Sequence, residues 1–394
     1  MIRHLLTLVW HRRSVNALLA LEIFASFLVV FPVAGLGLYY WRNARQPLGY
    51  DWQDVWTVRI DTGARRGGER AEEEGRTLER LVRAAEAMPA VRTASAVDIV
   101  PFEFGTNARE RDGVHTLVAR VTDDYLDTVD LQLVAGRWFG PEDDALAFEP
   151  VVVDHDLART LWGDEDPIGK PFPVYNTDGV EERVVGVVAE FKKDGELAGP
   201  GHFTFYRAGE GSAWSAHLDR LVLEMEPGAG GEEEQRMAGE LAALAPGWSF
   251  EIEPLARLRA SAFRMRVLPL ALGGTVALFL LVMVGLGLSG VLWQSITQRR
   301  AELGLRRALG ASRSAVRRQV LLEISLLTAL AVGAGVLLVV QLPLFELAGF
   351  LDAAVFAGAL AAAVATVFGL TLLCGLYPSR LAMGVTPADA LHDE

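Results

Sequence analysis

Cysteine occurs once in these 394 residues, at Cys374, and lysine only three times. A single cysteine excludes an intrachain disulfide and any metal site built from several thiolates. The seven histidines form no HxxxH or HExxH pair, so the usual helix-borne zinc arrangement is missing too. Arginine outnumbers lysine 34 to three, an imprint of GC-rich coding that makes arginine-rich stretches weak signs of phosphate binding here. Positive charge is in deficit overall, with 37 basic residues against 50 acids and a formal net charge of −13. What is plentiful is apolar: 51% of residues are hydrophobic, yet 22% are charged. Mean hydropathy is +0.25. That mixture points to membrane spans joined to a hydrophilic domain.

A membrane helix needs about 20 mostly apolar residues. Four segments qualify: 17–41, 267–293, 320–344 and 353–376. The second carries no charge over 27 residues, which gives roughly 40 Å of helix, enough to span with tilt. The first is too long for a signal-peptide core and has no small-x-small cleavage site, so it reads as a retained anchor. Acids stand only near the ends of the runs, at Glu22, Glu323, Glu346 and Asp352, and read as interfacial or locally paired.

Arginine placement sets the orientation. Arg3, Arg12 and Arg13 precede the first span, seven arginines lie between the second and third, and Arg380 follows the fourth. These three regions share one side, the cytoplasm. The expected division is a cytoplasmic segment 1–16, helix 1 at 17–41, an external domain 42–266 and helix 2 at 267–293. A cytoplasmic segment 294–319, helix 3 at 320–344, an external loop 345–352, helix 4 at 353–376 and a cytoplasmic tail 377–394 complete it. The external part holds 42 acids against 26 basic residues. The fold class is therefore a membrane protein with four transmembrane α-helices and a large α+β extracytoplasmic domain inserted between helices 1 and 2.

Within 42–266, strand signals fall at 56–60, 115–121, 150–153, 183–191 and 220–225. Leu78, Leu81, Val82 and Ala85 recur at helical spacing before Pro89, and further helices fit 156–162 and 232–245. The tract "EPGAGGEEE" (226–234) reads as a surface loop. "GDEDPIGK" (163–170) has one residue too many for a phosphate loop, and Pro171 stands where Ser or Thr would bind magnesium; it reads as a turn. No Ser/His/Asp set can be drawn without arbitrary choice. Catalytic, metal and cofactor-binding residues are all expected to be absent from the chain.

Three stretches carry a family resemblance. "VTDDYLDTVDLQLVAGRWFGPED", "PVVVDHDLARTLWGDEDPIGKPF" and "ERVVGVVAEFK" resemble the MacB-type periplasmic core domain. "RRAELGLRRALGASRSAVRRQVLLEISLL" is similar to the cytoplasmic segment of MacB/FtsX-like ABC transporter permeases, and "YPSRLAMGVTPADALHDE" to their tail, with His392 in place of an arginine. The resemblance implies a MacB-like core domain at 42–266 and an FtsX-like permease domain at 267–390. It also implies a dimer, either of two copies or with a sister permease, above two ABC ATPase subunits. ATP and magnesium are then expected in the partner ATPase, and with only 16 residues before the first span that ATPase is expected to be a separate polypeptide. The bacterial inner membrane is the implied location. A periplasmic adaptor and an outer-membrane duct stay open as further partners.

The segment 294–319 has no aromatic and is tied at both ends to spans, which argues against a nucleic-acid arm. Glu302 and Arg306 are spaced to pair on one helical face. Leu303, Arg307 and Gly310 trace the neighbouring stripe, and Gly310-Ala311-Ser312 reads as a break with Ser312 as an N-cap. The pattern alone fits equally a knob for an ATPase groove or a helix lying on anionic lipid. The resemblance decides for ATPase docking through Arg299, Arg300, Glu302, Leu303, Gly304, Arg306, Arg307, Ala308, Gly310 and Ala311, with membrane lipids as secondary contacts. The implied function is mechanotransmission: ATP-driven movement of the external domain that exports a hydrophobic or peptide-like substrate. The alternatives are a signalling scaffold activating a cell-wall hydrolase, and a lipoprotein-release permease.

Overall fold

The computed structural model describes residues 13–63, 71–105, 107–111, 113–173, 180–209, 218–298, 312–342 and 351–384. The chain divides into two compact units, one of Met1–Trp41 with Val267–Glu394 and one of Arg42–Arg266.

The first unit is helical. It takes in most of α1 (Arg13–Asn43) and α6 (Leu255–Gln298), together with α7 (Arg313–Val339) and α8 (Ala353–Gly384). All four are long and apolar enough to cross a membrane, over Ala17–Asn43, Leu255–Val291, Leu321–Val339 and Ala353–Leu376. Their shared core joins Ile23, Phe27 and Phe31 of α1 to Val284 of α6, Ile324 and Val332 of α7, and Ala359 and Ala363 of α8. Small residues set the approach distances. A Cβ on Gly273 would lie 3.0 Å from Val33, and one on Gly285 3.3 Å from the Cys374 sulfur. One on Gly335 would lie 2.4 Å from the Phe27 ring, so this glycine cannot grow. Gly274 and Gly290 meet nothing within 4 Å. One carboxylate oxygen of Glu22 is buried without a hydrogen-bond partner, 3.0 Å from where a Gly287 Cβ would be.

The second unit is one ten-stranded sheet with helices on it. Its strands are β1 (Val55–Asp61), β2 (Val91–Val97), β3 (Asn107–Arg111), β4 (Val114–Val121), β5 (Leu133–Gly136), β6 (Glu149–Asp154), β7 (Glu182–Val188), β8 (Phe203–Arg207), β9 (Arg220–Met225) and β10 (Ser249–Pro254). The order is β10-β1-β9-β2-β4-β8-β6-β7-β5, with β3 paired to β4. The helices are α2 (Ala71–Glu86), α3 (Tyr125–Thr128), α4 (His155–Trp162) and α5 (Gly231–Leu244). β1-α2-β2 and β9-α5-β10 interleave as an antiparallel β10-β1-β9-β2 quartet, a split βαβ arrangement.

Period-two alternation divides the side chains between the faces. In β9, Leu221, Leu223 and Met225 join the core of the quartet with Leu81 and Leu241, while Val222 faces the other way. In β6, Val151 and Val153 meet Leu157 of α4, while Val152 joins Phe203 and Phe205 on the opposite face. Strands covered on both faces explain why "PVVV" and "RVVGVV" read as unbroken apolar runs.

The strand signals at 56–60, 115–121, 150–153 and 220–225 all fall inside observed strands. The run 183–191 ends as a strand at Val188, because the chain then turns into a polar loop. The acidic tract 226–234 is a loop only at its start. Helix α5 begins at Gly231, its first-turn glutamates 232–234 complementing the helix dipole, and Glu233 accepts the Gly230 amide at 2.9 Å.

Candidate functional site

The residues assigned to ATPase docking, Arg299, Arg300, Glu302, Leu303, Gly304, Arg306, Arg307, Ala308, Gly310 and Ala311, lie outside the described residues. What is described are the flanks: α6 ends at Gln298, and Ser312 stands directly before α7, its hydroxyl 2.9 Å from that of Ser314. Among the described residues no three or more His, Cys, Asp or Glu side chains are grouped as a metal site.

The described residues converge instead on the loop 189–198 that follows β7. Lys192 and Lys193 sit there with 1% and 2% exposure. The Lys192 ammonium donates at 2.8 Å to the carbonyl of Asn43, the last residue of α1. A cation on the last carbonyls of a helix complements the negative end of its dipole. The Asn43 side chain answers by donating to the Leu197 carbonyl at 3.2 Å. The Lys192 backbone amide bonds the Leu48 carbonyl, and its own carbonyl accepts from the Tyr50 hydroxyl at 3.0 Å. Gly49, between them, has φ +87°, and a Cβ there would lie 1.7 Å from the Glu190 carbonyl oxygen, so no other residue fits. Burial pushes the Lys192 ammonium below its usual pKa, with Glu190 and Glu196 pulling back; burial likewise raises Tyr50 well above a free phenol.

Lys193 points the other way and donates to the carbonyls of Glu103 and Gly105, each at 2.7 Å. The Glu103 carboxylate in turn takes Arg59 of β1 at 2.8 Å and Arg220 of β9 at 2.6 Å. The loop also holds the start of α6. Glu196 pairs with Arg259, whose guanidinium lies 4.1 Å above the centre of the Trp52 ring, and Asp194 pairs with Arg266 at 3.5 Å. Leu255 and Ala262 of α6 close the arrangement from the core beneath. One ten-residue loop thus grips the end of α1, the turn after it, the carbonyls of Glu103 and Gly105, and the first turns of α6. The geometry binds backbone ends; it assembles no nucleophile or base.

Sequence reasoning passed over these lysines, although the signal was present: two of only three lysines in an arginine-dominated chain stand side by side. A compact ammonium on a flexible stem can reach a buried carbonyl where a planar guanidinium fork cannot be satisfied.

Residues 21–233 match the family model of the MacB-like periplasmic core domain, more than half of the chain, and residues 274–387 match that of the FtsX-like permease C-terminal region. The chain belongs to the MacB/FtsX-like ABC permeases. It is 29% identical over 295 residues to the macrolide export ATP-binding/permease protein MacB of Chromobacterium violaceum, covering 71% of this chain and 44% of that one. To MacB 1/2 of Paracoccus denitrificans it is 26% identical over 321 residues, covering 78% and 47%. This permease therefore spans about half the length of the curated relatives it matches. Among solved structures it resembles the periplasmic region of MacB from Actinobacillus actinomycetemcomitans, with a TM-score of 0.35, 13% identity, and 54% of this chain and 93% of that one covered. The extracellular domain of YknZ gives 0.33 at 14% identity, over 50% and 99%. By family the protein is an ABC transporter permease with several membrane spans, and the lysine loop lies inside the segment matched to its core domain.

Proposed function

We propose that this permease converts ATP hydrolysis by a separate ABC ATPase into movement of its 42–266 domain, and so exports or extrudes a hydrophobic or peptide-like substrate. One observation carries the reading: the order of one span, an α+β domain and three further spans, overlaid by the core-domain match at 21–233 and the permease match at 274–387. Arginine placement supports cytoplasmic termini and an external 42–266 in a bacterial inner membrane. ATP and magnesium belong to the ATPase, which docks on 299–311. Cargo is handled on the outer side, in keeping with the scarcity of charge within the spans.

Reconstitution with the cognate ATPase in nanodiscs tests this. The wild-type permease should stimulate hydrolysis, while Glu302→Arg and Gly310→Trp should still insert and bring stimulation down to the ATPase-alone rate. Full stimulation in both variants would remove 299–311 as the docking surface. Stimulation without any cargo movement in proteoliposomes would favour the signalling device over export.

A further inference from the structure

The covalent chain passes between its two units twice, between Trp41 and Arg42 and between Arg266 and Val267. Both passages are helical: α1 runs on to Asn43, and α6 runs unbroken from Leu255 to Gln298. Within the α+β unit, loop 189–198 holds a residue beside each passage. Asn43 is bonded twice, its carbonyl by the Lys192 ammonium at 2.8 Å and its side chain to the Leu197 carbonyl at 3.2 Å. Arg266 pairs with Asp194 at 3.5 Å, and Arg259 pairs with Glu196.

Spacing on α6 shows what these pairs add. Leu255, Arg259, Ala262 and Arg266 follow one another by four, three and four residues, so they share one face of the helix. Leu255 and Ala262 are sunk in the core, 0% and 5% exposed. Apolar burial is non-directional and does little to fix how a helix is turned about its axis. The two arginines stand about two turns apart on that face and meet two acids of one loop. One such contact makes a pivot; two fix an orientation. Arg259 also lies 4.1 Å over the Trp52 ring, in the segment that continues from α1. At the α1 end, an ammonium kept at 1% exposure is tolerated only where its bonds are made.

We propose that loop 189–198 is a clamp that makes the end of α1 and the first turns of α6 one rigid body, with Lys192 and Glu196 as its positioning residues. The clamp stands on these contacts alone; that it bears load during ATP hydrolysis rests on the function proposed above.

Pulsed electron paramagnetic resonance on the permease with its cognate ATPase in nanodiscs tests it. Nitroxides are placed at the exposed Ala44 and Ala260 in a Cys374→Ser background, diluted with unlabelled permease so that only distances within one chain are read. The clamp predicts a narrow distance distribution, the same without nucleotide and after trapping with ATP and vanadate. Lys192→Met with Glu196→Gln, both close in length to the native side chains, should broaden it and let the mean distance shift on trapping. Glu196→Arg should broaden it too, and adding Arg259→Glu should narrow it again, a rescue that general destabilisation would not give. A broad wild-type distribution, or an unchanged width in the variants, overturns the clamp. A narrow wild-type distribution that moves on trapping overturns it as well, while showing that ATP drives these helices. If the width responds to the variants but no distance in any variant responds to trapping, the clamp is upheld and its load-bearing role falls together with ATP-driven movement.

Discussion

Asp154 closes β6 and caps α4: one carboxylate oxygen accepts the Leu157 amide at 2.8 Å, and the other has no partner. The side chain is fully buried, and that burial, with Asp156 and Glu190 acting in the same direction, pushes its pKa up to about 8. The folded protein therefore keeps a proton that the unfolded chain releases in the ordinary carboxylate range. Its contribution to stability falls as pH rises from that range through about 8. Asp143 has the opposite sign. Burial raises it, but Arg137 bonding both oxygens and the Gly140 amide outweigh burial and leave it low, so its contribution is lost on acidification. Asp154→Asn keeps an acceptor for the Leu157 amide and fixes the neutral form. Thermal unfolding of the intact protein between about pH 6 and about pH 9 should show the wild type losing stability toward the alkaline end more steeply than the variant. Parallel curves would mean that Asp154 is ionised throughout.

At the scale of elements, the lysine loop makes a local claim. Replacing Lys192 by methionine keeps the stem and removes the ammonium, leaving the end of α1 without its charged donor. Hydrogen bonds to charged groups contribute about 1.5–3 kcal/mol, so amide exchange across 43–52 should rise about tenfold or more, with β6 and β7 unchanged. Lys192→Arg should not restore protection, because its fork has no room to be satisfied on one carbonyl. Unaltered exchange in the methionine variant would show that the contact does not hold the helix end. This loop also marks where the sequence stopped being legible. The spans, and strands such as β6 and β9, were readable because long apolar runs have few alternative fates. β2 is built mostly from small residues, β3 is a polar strand paired to β4, and β5 is a four-residue strand at the sheet's end; none bears a pattern that local reading can detect. The lysine contacts with these carbonyls join residues 88 to 149 positions apart, and no local periodicity encodes such pairings.

At the scale of the whole molecule, α6 is conspicuous for what it leaves uncovered. Only 11% of its most apolar window is buried within the chain, against 33%, 39% and 28% for the other three spans. Leu272, Phe279, Leu286 and Trp293 repeat every seven residues and are 50–66% exposed. Val276 and Met283 fall four residues after the first two, and Gly290, open on its outer side, continues their series. Alternating steps of three and four residues keep a single stripe facing one partner helix, as in a left-handed helix pair, whereas lipid contact imposes no such repeat. The dimer expected from the family resemblance, where it pairs two copies of this chain rather than a sister permease, should meet along this stripe. With Cys374→Ser removing the sole native thiol, single cysteines at Leu272, Phe279 and Leu286 should form intermolecular disulfides in membranes. Cysteines at Leu278 and Val282, which lie off the stripe on the same helix, should crosslink several-fold less, and so should one at Leu337, equally exposed on α7. Equal crosslinking at all six positions would reduce the stripe to a lipid-facing surface, and the dimer would then have to be built on another span.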